Sequence, residues 1–220
     1  MHHYIITRFS VLDKKSSINP YFTRKAKTNI ETYLFNDDRL KEKFFIFNHV
    51  TYPSIINQTT NNYTWLIYSS SFLPEKYKKM LMEINGGKIK VIFVDNFKEM
   101  NEDIETRIEK RESFSTTRLD DDDGLHPDFL KTINKYSHKK GKVISLPNGV
   151  RIKRKGGEIL KYGKTRYKKI ATGMTGIGFN IHQITNHLRA NARHGIIYDN
   201  MKDAYMVYCA KTAQNSRRRC

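Results

Sequence analysis

Residues 120–123 are four consecutive aspartates, Asp120, Asp121, Asp122 and Asp123. Carboxylate oxygens suit a hard divalent cation such as Mg²⁺ or Mn²⁺, which leaves its other positions to water and to substrate phosphates. In an extended chain Asp120 and Asp122 project to one side. One can then take the metal directly while the other reaches it through water or a sugar hydroxyl of a nucleotide. A cation there neutralises the charge of a departing diphosphate. Arg118, two residues earlier on the same side, adds a charge-assisted contact to a phosphate or positions the carboxylates. The plain alternative is a solvated acidic turn, with Asp123-Gly124 as a turn start. Against it, adjacent like charges directly after an apolar strand cost stability unless a cation or an arginine compensates. A calcium loop is excluded because the spaced D-x-D-x-D-G pattern with a later Glu is missing after Asp120.

The segments around the cluster alternate between strand and helix patterns. His3 to Leu12 reads as a buried first strand and Lys14 to Lys27 as a polar loop. Asp37 to about Gln58 has apolar spacings of three or four, with Pro53 as a bend. Tyr63 to Ser69 reads as a second strand, Pro74 to Ile84 as a helix, and Lys88 to Asp95 as a third strand. Residues 98–112 suit a helix, and Ser113 to Leu119 is a fourth strand that runs into the aspartates. This is the α/β pattern, a mixed, mainly parallel sheet flanked by helices, and in such sheets ligands bind beyond the carboxyl ends of the strands. Further on, Lys142 to Leu146 reads as a short strand, Val150 to Tyr162 as a hairpin around Gly156-Gly157, Ile181 to Ala192 as a helix and Ala204 to Cys209 as a last strand. Gly173, Gly176 and Gly178 fit neither a dinucleotide nor a Walker pattern and read as a flexible loop, with a lid over a donor as one use.

The chain has 220 residues, which predicts one domain, and its 38% hydrophobic content supports a core. No run approaches a membrane span, and the opening MHHYIITRFSVLDKK lacks the order of a signal peptide, so a cytoplasmic protein is expected. Cys209 and Cys220 cannot build a disulfide framework or a Cys-rich zinc site. His182, His187 and His194, five and seven apart, lack the i,i+4 spacing of a helical zinc site, and surface or satisfied histidines are the default. Forty Lys and Arg against 22 Asp and Glu give a formal charge of +18, concentrated in residues 139–169 and in Arg217, Arg218 and Arg219. An anionic partner follows from this balance. The stretch 139–169 is a solvated face in the plain reading; alternatively it holds an anionic acceptor or touches an anionic membrane surface.

Three blocks in order, ITRFSVLD, RLKEKFFIFNHVTYPSIINQTTNNYTWLIYSS and FSTTRLDDDDGLHPDFL, resemble the putative rhamnosyltransferase family of glycosyltransferases, most strongly over residues 4–148. The resemblance implies a GT-A-type, Rossmann-like domain over residues 1–220, with about 1–125 as the nucleotide-sugar half and about 126–220, including the basic hairpin, as the acceptor half. It implies Thr7, Arg8 and Phe9 beside the nucleotide, together with Arg118, Asp120 and Asp121, and a Mn²⁺ or Mg²⁺ on Asp120 and Asp122, with Asp123 facing the sugar. The donor would be UDP-, dTDP- or GDP-linked and the acceptor a glycan or a lipid-linked glycan. Two departures stand out: Ser69, Ser70 and Ser71 occupy the place of an expected acid after the second strand, and YMVYCAKTAQNSR carries no Trp or His.

An inverting transfer needs a base for the acceptor hydroxyl. Asp199 is the first candidate, with Asp203, Glu158, Asp128 and His194 behind it; a retaining transfer needs none. The rival reading is a metal-dependent nuclease or phosphotransferase, or a basic nucleic-acid-binding protein. No helix-turn-helix, RNP or zinc-finger signature supports nucleic acid, and an Asp quartet repels a phosphate backbone unless a metal intervenes.

Overall fold

Eleven strands form two sheets in the computed structural model, which describes residues 1–12, 30–168, 170–184 and 194–209. The expected loop 14–27, His187, Lys169, Cys220 and the arginines 217–219 lie outside the described residues.

The first strand, β1 (His2–Phe9), is followed by helices α1 (Ile30–Leu34) and α2 (Asp37–Ile46), a π-helical turn (Phe47–Thr51) and α3 (Tyr52–Ile56). Asn36 caps α2 by accepting the amide of Arg39 at 3.0 Å. The bend expected at Pro53 is realised as this π turn, in which the Tyr52 amide reaches back to the Phe47 carbonyl. Pro53 then sits in the first turn of α3, where its missing N–H is not needed. Next come β2 (Tyr63–Ser70), α4 (Glu75–Met82), β3 (Ile89–Val94), α5 (Phe97–Ile108) and β4 (Phe114–Asp120). The second half comprises β5 (Gly124–Leu125), α6 (Phe129–Asn134), β6 (Val143–Ser145), β7 (Asn148–Lys155), β8 (Glu158–Arg166), β9 (Thr175–Ile177), a 3₁₀ turn (Ile181–Gln183), β10 (Ile196–Tyr198) and β11 (Tyr205–Tyr208).

The larger sheet has the order β10-β6-β9-β4-β1-β2-β3. It is parallel throughout except at β9, which runs against both β4 and β6. The mainly parallel α/β sheet expected from the sequence is therefore present. The smaller sheet, β5-β11-β7-β8, carries the hairpin and packs on α2 and the π turn through Ile46, Val50, Ile152 and Tyr208.

Strand alternation divides the main core. Ile5 and Phe9 of β1 join Leu40, Phe44, Phe47, Trp65 and Leu81 on the α2/α4 face. Tyr4 and Ile6 join Leu66, Tyr68, Met100 and Ile104 on the α5 face. Each fully buried side chain of this size contributes roughly 1.5–3 kcal/mol by leaving water.

Three local expectations are corrected. The Gly-rich run is not a loose lid: Thr175–Ile177 is a buried strand inside the larger sheet, because Gly176 leaves room for the Phe179 ring, which an added Cβ would meet at 2.9 Å. Of the helix expected over 181–192, Ile181–Gln183 is a 3₁₀ turn, and residues 185–192 lie outside the described residues. The hairpin extends beyond 162 to Arg166, and α6 and β10 were not anticipated, since both are too short to show a period.

Candidate donor crevice

After β1 the chain steps outward through β2 and β3 and then returns, by way of α5, to place β4 on the other side of β1. The order reverses between β1 and β4, and the crevice of an open α/β sheet lies at that reversal. Register puts Arg8 opposite Asp120 and Thr7 opposite Leu119, so the end of β1 lies against the start of the acidic run.

The acidic run is not extended. β4 ends at Asp120, and the Asp123 amide donates to the Asp120 carbonyl at 3.2 Å, closing a turn. Strand alternation therefore does not relate Asp120 to Asp122, as an extended D-x-D had implied. Arg118 and Asp120, both still on β4, do share a side: Arg118 Nε and Nη2 donate to Asp120 Oδ1 at 3.3 and 3.2 Å. Asp121 is buried in an ion pair with Lys43 of α2, and Thr51 Oγ1 donates to the Asp121 carbonyl at 3.0 Å. Burial pulls the Lys43 ammonium below its ordinary range against the pull of Asp121, and its Nζ lies 5.0 Å from the centre of the Phe9 ring. Asp123 is 0% exposed. Its Oδ1 accepts the Tyr208 amide at 3.2 Å, and its Oδ2 accepts the Thr172 hydroxyl. It holds the turn to β11 and to the 171–174 loop and does not face a sugar.

Of the three β1 residues expected beside a nucleotide, Arg8 alone points into this space. Thr7 and Phe9 turn to the other face: Thr7 Oγ1 accepts Trp65 Nε1 at 3.0 Å, and Phe9 packs on Phe44 and Phe47 with ring centres 4.8 and 5.5 Å away. Arg8 lies over the Phe97 ring at 5.4 Å. Burial first, then the charge of Arg118, draws its guanidinium down to about 10, which leaves it protonated at neutral pH.

His182 and Lys43 join this region without a sequence signal, since each arrives through tertiary packing. Burial, reinforced by Arg8 and Arg118, holds the His182 imidazole well below its ordinary range, so it is neutral at pH 7. At the end of β2, where the family acid was expected, the Ser71 hydroxyl meets the carboxylate of Asp95, one residue beyond β3.

Asp199 is not brought to the crevice. It follows β10, three strands from β4, a lateral distance of about 14 Å at the usual strand spacing. Its Oδ2 accepts the Tyr136 hydroxyl at 2.6 Å and its Oδ1 the Met201 amide at 2.7 Å. Burial and Asp199 push the Tyr136 hydroxyl up to about 12. Among the other base candidates, Asp128 accepts from Thr59 Oγ1 at 2.8 Å, the His194 ring stacks on Phe179 at 4.2 Å, and Asp203 and Glu158 are exposed.

The donor set can be tested against a divalent cation. No group of three or more His, Cys, Asp or Glu side chains converges among the described residues, so a cage built from protein alone is absent there. The half-buried carboxylates of the turn are Asp120 and Asp122. One or two carboxylates completed by substrate phosphates are what Mg²⁺ and Mn²⁺ sites use, and this pair fits that pattern. Asp121 and Asp123, buried against protein partners, do not.

A sequence model described as "Putative rhamnosyl transferase" matches residues 2–199. No curated protein matches the sequence. Among solved structures, S. aureus TarS 1–349 in complex with UDP-GlcNAc superposes with a TM-score of 0.56 at 10% identity, covering 96% of this chain and 60% of that one. The same TarS fragment without a named ligand gives 0.53 at 9% identity, covering 94% and 60%. Its complex with UDP gives 0.52 at 10% identity, covering 96% and 61%. At these identities the likeness is one of fold, and the chain spans about 60% of the length of the structures it matches.

Proposed function

This chain belongs to the putative rhamnosyl transferase family, and on that premise we propose that it is a glycosyltransferase that moves a sugar from a nucleotide-sugar donor to a hydroxyl of a glycan or lipid-linked acceptor. The observation that carries the reading is the reversal between β1 and β4, where Arg8, Arg118 and Asp120 meet near the carboxyl ends of parallel strands and Asp122 follows in the turn after β4. TarS structures that hold UDP and UDP-GlcNAc support a nucleotide-sugar as the donor class. Rhamnose rests on the family description alone.

In this reading Arg8 and Arg118 bind the diphosphate and oppose the charge that develops as the sugar departs. Lys43, Thr172 and the Tyr208 amide hold the Asp121 and Asp123 ends of the turn, which fixes where Asp120 and Asp122 stand. Mn²⁺ or Mg²⁺ on Asp120 and Asp122 would supply further neutralisation of the leaving diphosphate.

The acceptor half begins near residue 126. Its hairpin exposes Lys153, Lys155, Lys161, Lys164 and Arg166. Part of that array protects the edge strand β8 from pairing. The rest suits an anionic acceptor or the anionic surface of a membrane, with the protein peripheral on the cytoplasmic side. No helix among the described residues is long and apolar enough to cross a membrane.

Thermal melting tests the reading, because a ligand of the native state raises the midpoint by mass action. A shift that needs Mn²⁺ or Mg²⁺ together with UDP, dTDP or GDP is the expected result. A shift with short DNA or RNA and none with any diphosphate would replace it with a nuclease or nucleic-acid binder.

A further inference from the structure

Strand β8 is at the edge of the smaller sheet and pairs with β7. Residues directly opposite each other on antiparallel strands share a face. Arg166 stands opposite Asn148, Lys164 opposite Val150 and Lys161 opposite Ile152. Lys161 and Lys164 are three residues apart, a spacing that puts them on opposite faces of a regular strand. The register shift between Arg151 and Ile152 leaves Tyr162 as an extra residue and returns both lysines to one face. Lys161, Lys164 and Arg166 therefore form one row, about 13 Å long at the usual strand rise. All three are exposed, and none of them forms an ion pair among the described residues.

The row leads towards the crevice. The Tyr167 amide donates to the Pro147 carbonyl at 2.9 Å, and Ser145 Oγ donates to the Lys168 carbonyl at 3.0 Å, so the exposed Lys168 lies at the end of β6. Both β6 and β4 run against β9, which makes them point the same way and puts the end of β6 on the crevice side of the larger sheet. Only β9 stands between them, a lateral distance of about 10 Å. Four residues after Lys168, the Thr172 hydroxyl donates to Asp123 of the acidic turn.

A row of uncompensated cations fits an anionic partner, and its shape selects a linear one. The face that carries Ile152 packs on Ile46 and Val50, so α2 and the π turn cover it. A flat lipid surface cannot lie against a face that is already covered, whereas an extended chain can run along the open edge. Positions on one face of a strand recur about every 7 Å, so a chain with repeating charges engages one side chain after another.

We propose that the acceptor is an extended linear polyanion, with repeating phosphodiester or carboxylate groups, that lies along the edge of β8 on Lys161, Lys164 and Arg166; this rests on the glycosyltransferase reading above. Lys168 continues the row and leads the end of the polymer towards the acidic turn.

The test uses the full chain. Labelled polygalacturonate, long-chain polyphosphate and neutral dextran are titrated without metal at several salt concentrations, and UDP, dTDP and GDP are titrated with Mn²⁺ on the same samples. The row variant is Lys161→Gln/Lys164→Gln/Arg166→Gln. Its control, Lys79→Gln/Lys90→Gln/Lys110→Gln, removes the same charge from exposed sites elsewhere. The parent should bind one or both polyanions and not dextran, and the tighter polymer names the anionic group. The row variant should melt like the parent, bind the polymer about tenfold or more weakly, and lose about 2 from the slope of log affinity against log salt. The control should stay within about threefold of the parent, and both variants should keep parental diphosphate affinity. A parent that binds a diphosphate but neither polymer overturns the proposal and leaves the glycosyltransferase reading standing. Equal losses in the row variant and the control also overturn it, because bulk charge and not the row would then hold the polymer. Row-dependent binding to phosphatidylglycerol vesicles with no polymer bound replaces the acceptor with a membrane surface. Short single-stranded DNA bound through the row more tightly than either polymer replaces it with nucleic acid. If no diphosphate binds the parent, the glycosyltransferase reading falls and the acceptor role falls with it.

Discussion

The carboxylate of Asp123 accepts the backbone amide of Tyr208 at 3.2 Å, tying the turn after β4 to the last described strand across 85 residues of chain. Tyr208 also donates its hydroxyl to Glu42 Oε1 at 2.8 Å, and Glu42 in turn pairs with Arg154 of the hairpin. One strand thus links the acidic turn, helix α2 and the basic hairpin.

This tie separates stability from binding within a single four-residue run. Asp123→Ala removes a buried acceptor and leaves the Tyr208 amide and the Thr172 hydroxyl unsatisfied. It should lower unfolding free energy by about 2–4 kcal/mol in urea titrations. A variant as stable as the parent would show that the Asp123 contacts are not what holds the turn.

Asp122→Ala should behave in the opposite way. Its melting midpoint without ligand is expected to match the parent, while Mn²⁺-dependent binding of a nucleoside diphosphate falls by about tenfold or more. Retained metal-dependent binding would remove Asp122 from the cation site.

Lys43 and Asp121 are 10% and 9% exposed at the side chain, so breaking the pair leaves one charge buried without its partner. Lys43→Met should cost about 3–5 kcal/mol. The double variant Lys43→Met/Asp121→Leu should recover much of that loss, because a buried pair replaced by apolar groups is often tolerated. A double-mutant cycle by urea denaturation measures the coupling, and additive losses would refute it.

His3 is 0% exposed, with Nδ1 2.7 Å from Ser115 Oγ and Nε2 3.1 Å from Asn134 Oδ1. Burial lowers its pKa from 6.5 to about 4. The unfolded chain therefore binds a proton between these values that the folded chain does not. Its contribution is fully present above pH 6.5 and is lost as pH falls towards 4, by roughly 3 kcal/mol in all. His2 and His182 are shifted in the same direction. Stability measured from pH 7 to pH 4 should decline, and His3→Gln should flatten the decline. An equally steep decline in that variant would assign the effect to other groups.

Thr7→Val tests the hidden side of β1. It leaves Trp65 Nε1 without its acceptor and should cost about 1–3 kcal/mol, with diphosphate affinity unchanged. A loss of affinity without a loss of stability would return Thr7 to the ligand side.

Short apolar runs rich in β-branched and aromatic residues, such as HYIITRF and YTWLIYS, separated by helix-spaced segments, were enough to read the alternation of strands and helices up to Asp120. Local propensity and hydrophobic periodicity act over a few residues, and those elements are long enough to display them. The acidic run and its place at a strand end were legible for the same reason. The division of labour among its members was not. Asp120, Asp121, Asp122 and Asp123 are chemically identical, and their partners Arg118, Lys43, Thr172 and Tyr208 come from β4, α2, the loop before β9 and β11. Asp123 became a strut because packing delivered an amide and a hydroxyl to it, and burial makes an unsatisfied carboxylate expensive. Phe9 and Arg8, adjacent in sequence, were split between core and crevice by the pleat of β1 and the reversal of strand order beside it. His182 is held beside β4 only because Thr116 anchors a turn 65 residues away, measured to Ile181. Contacts of that range depend on how loops close in three dimensions, and no local pattern encodes them.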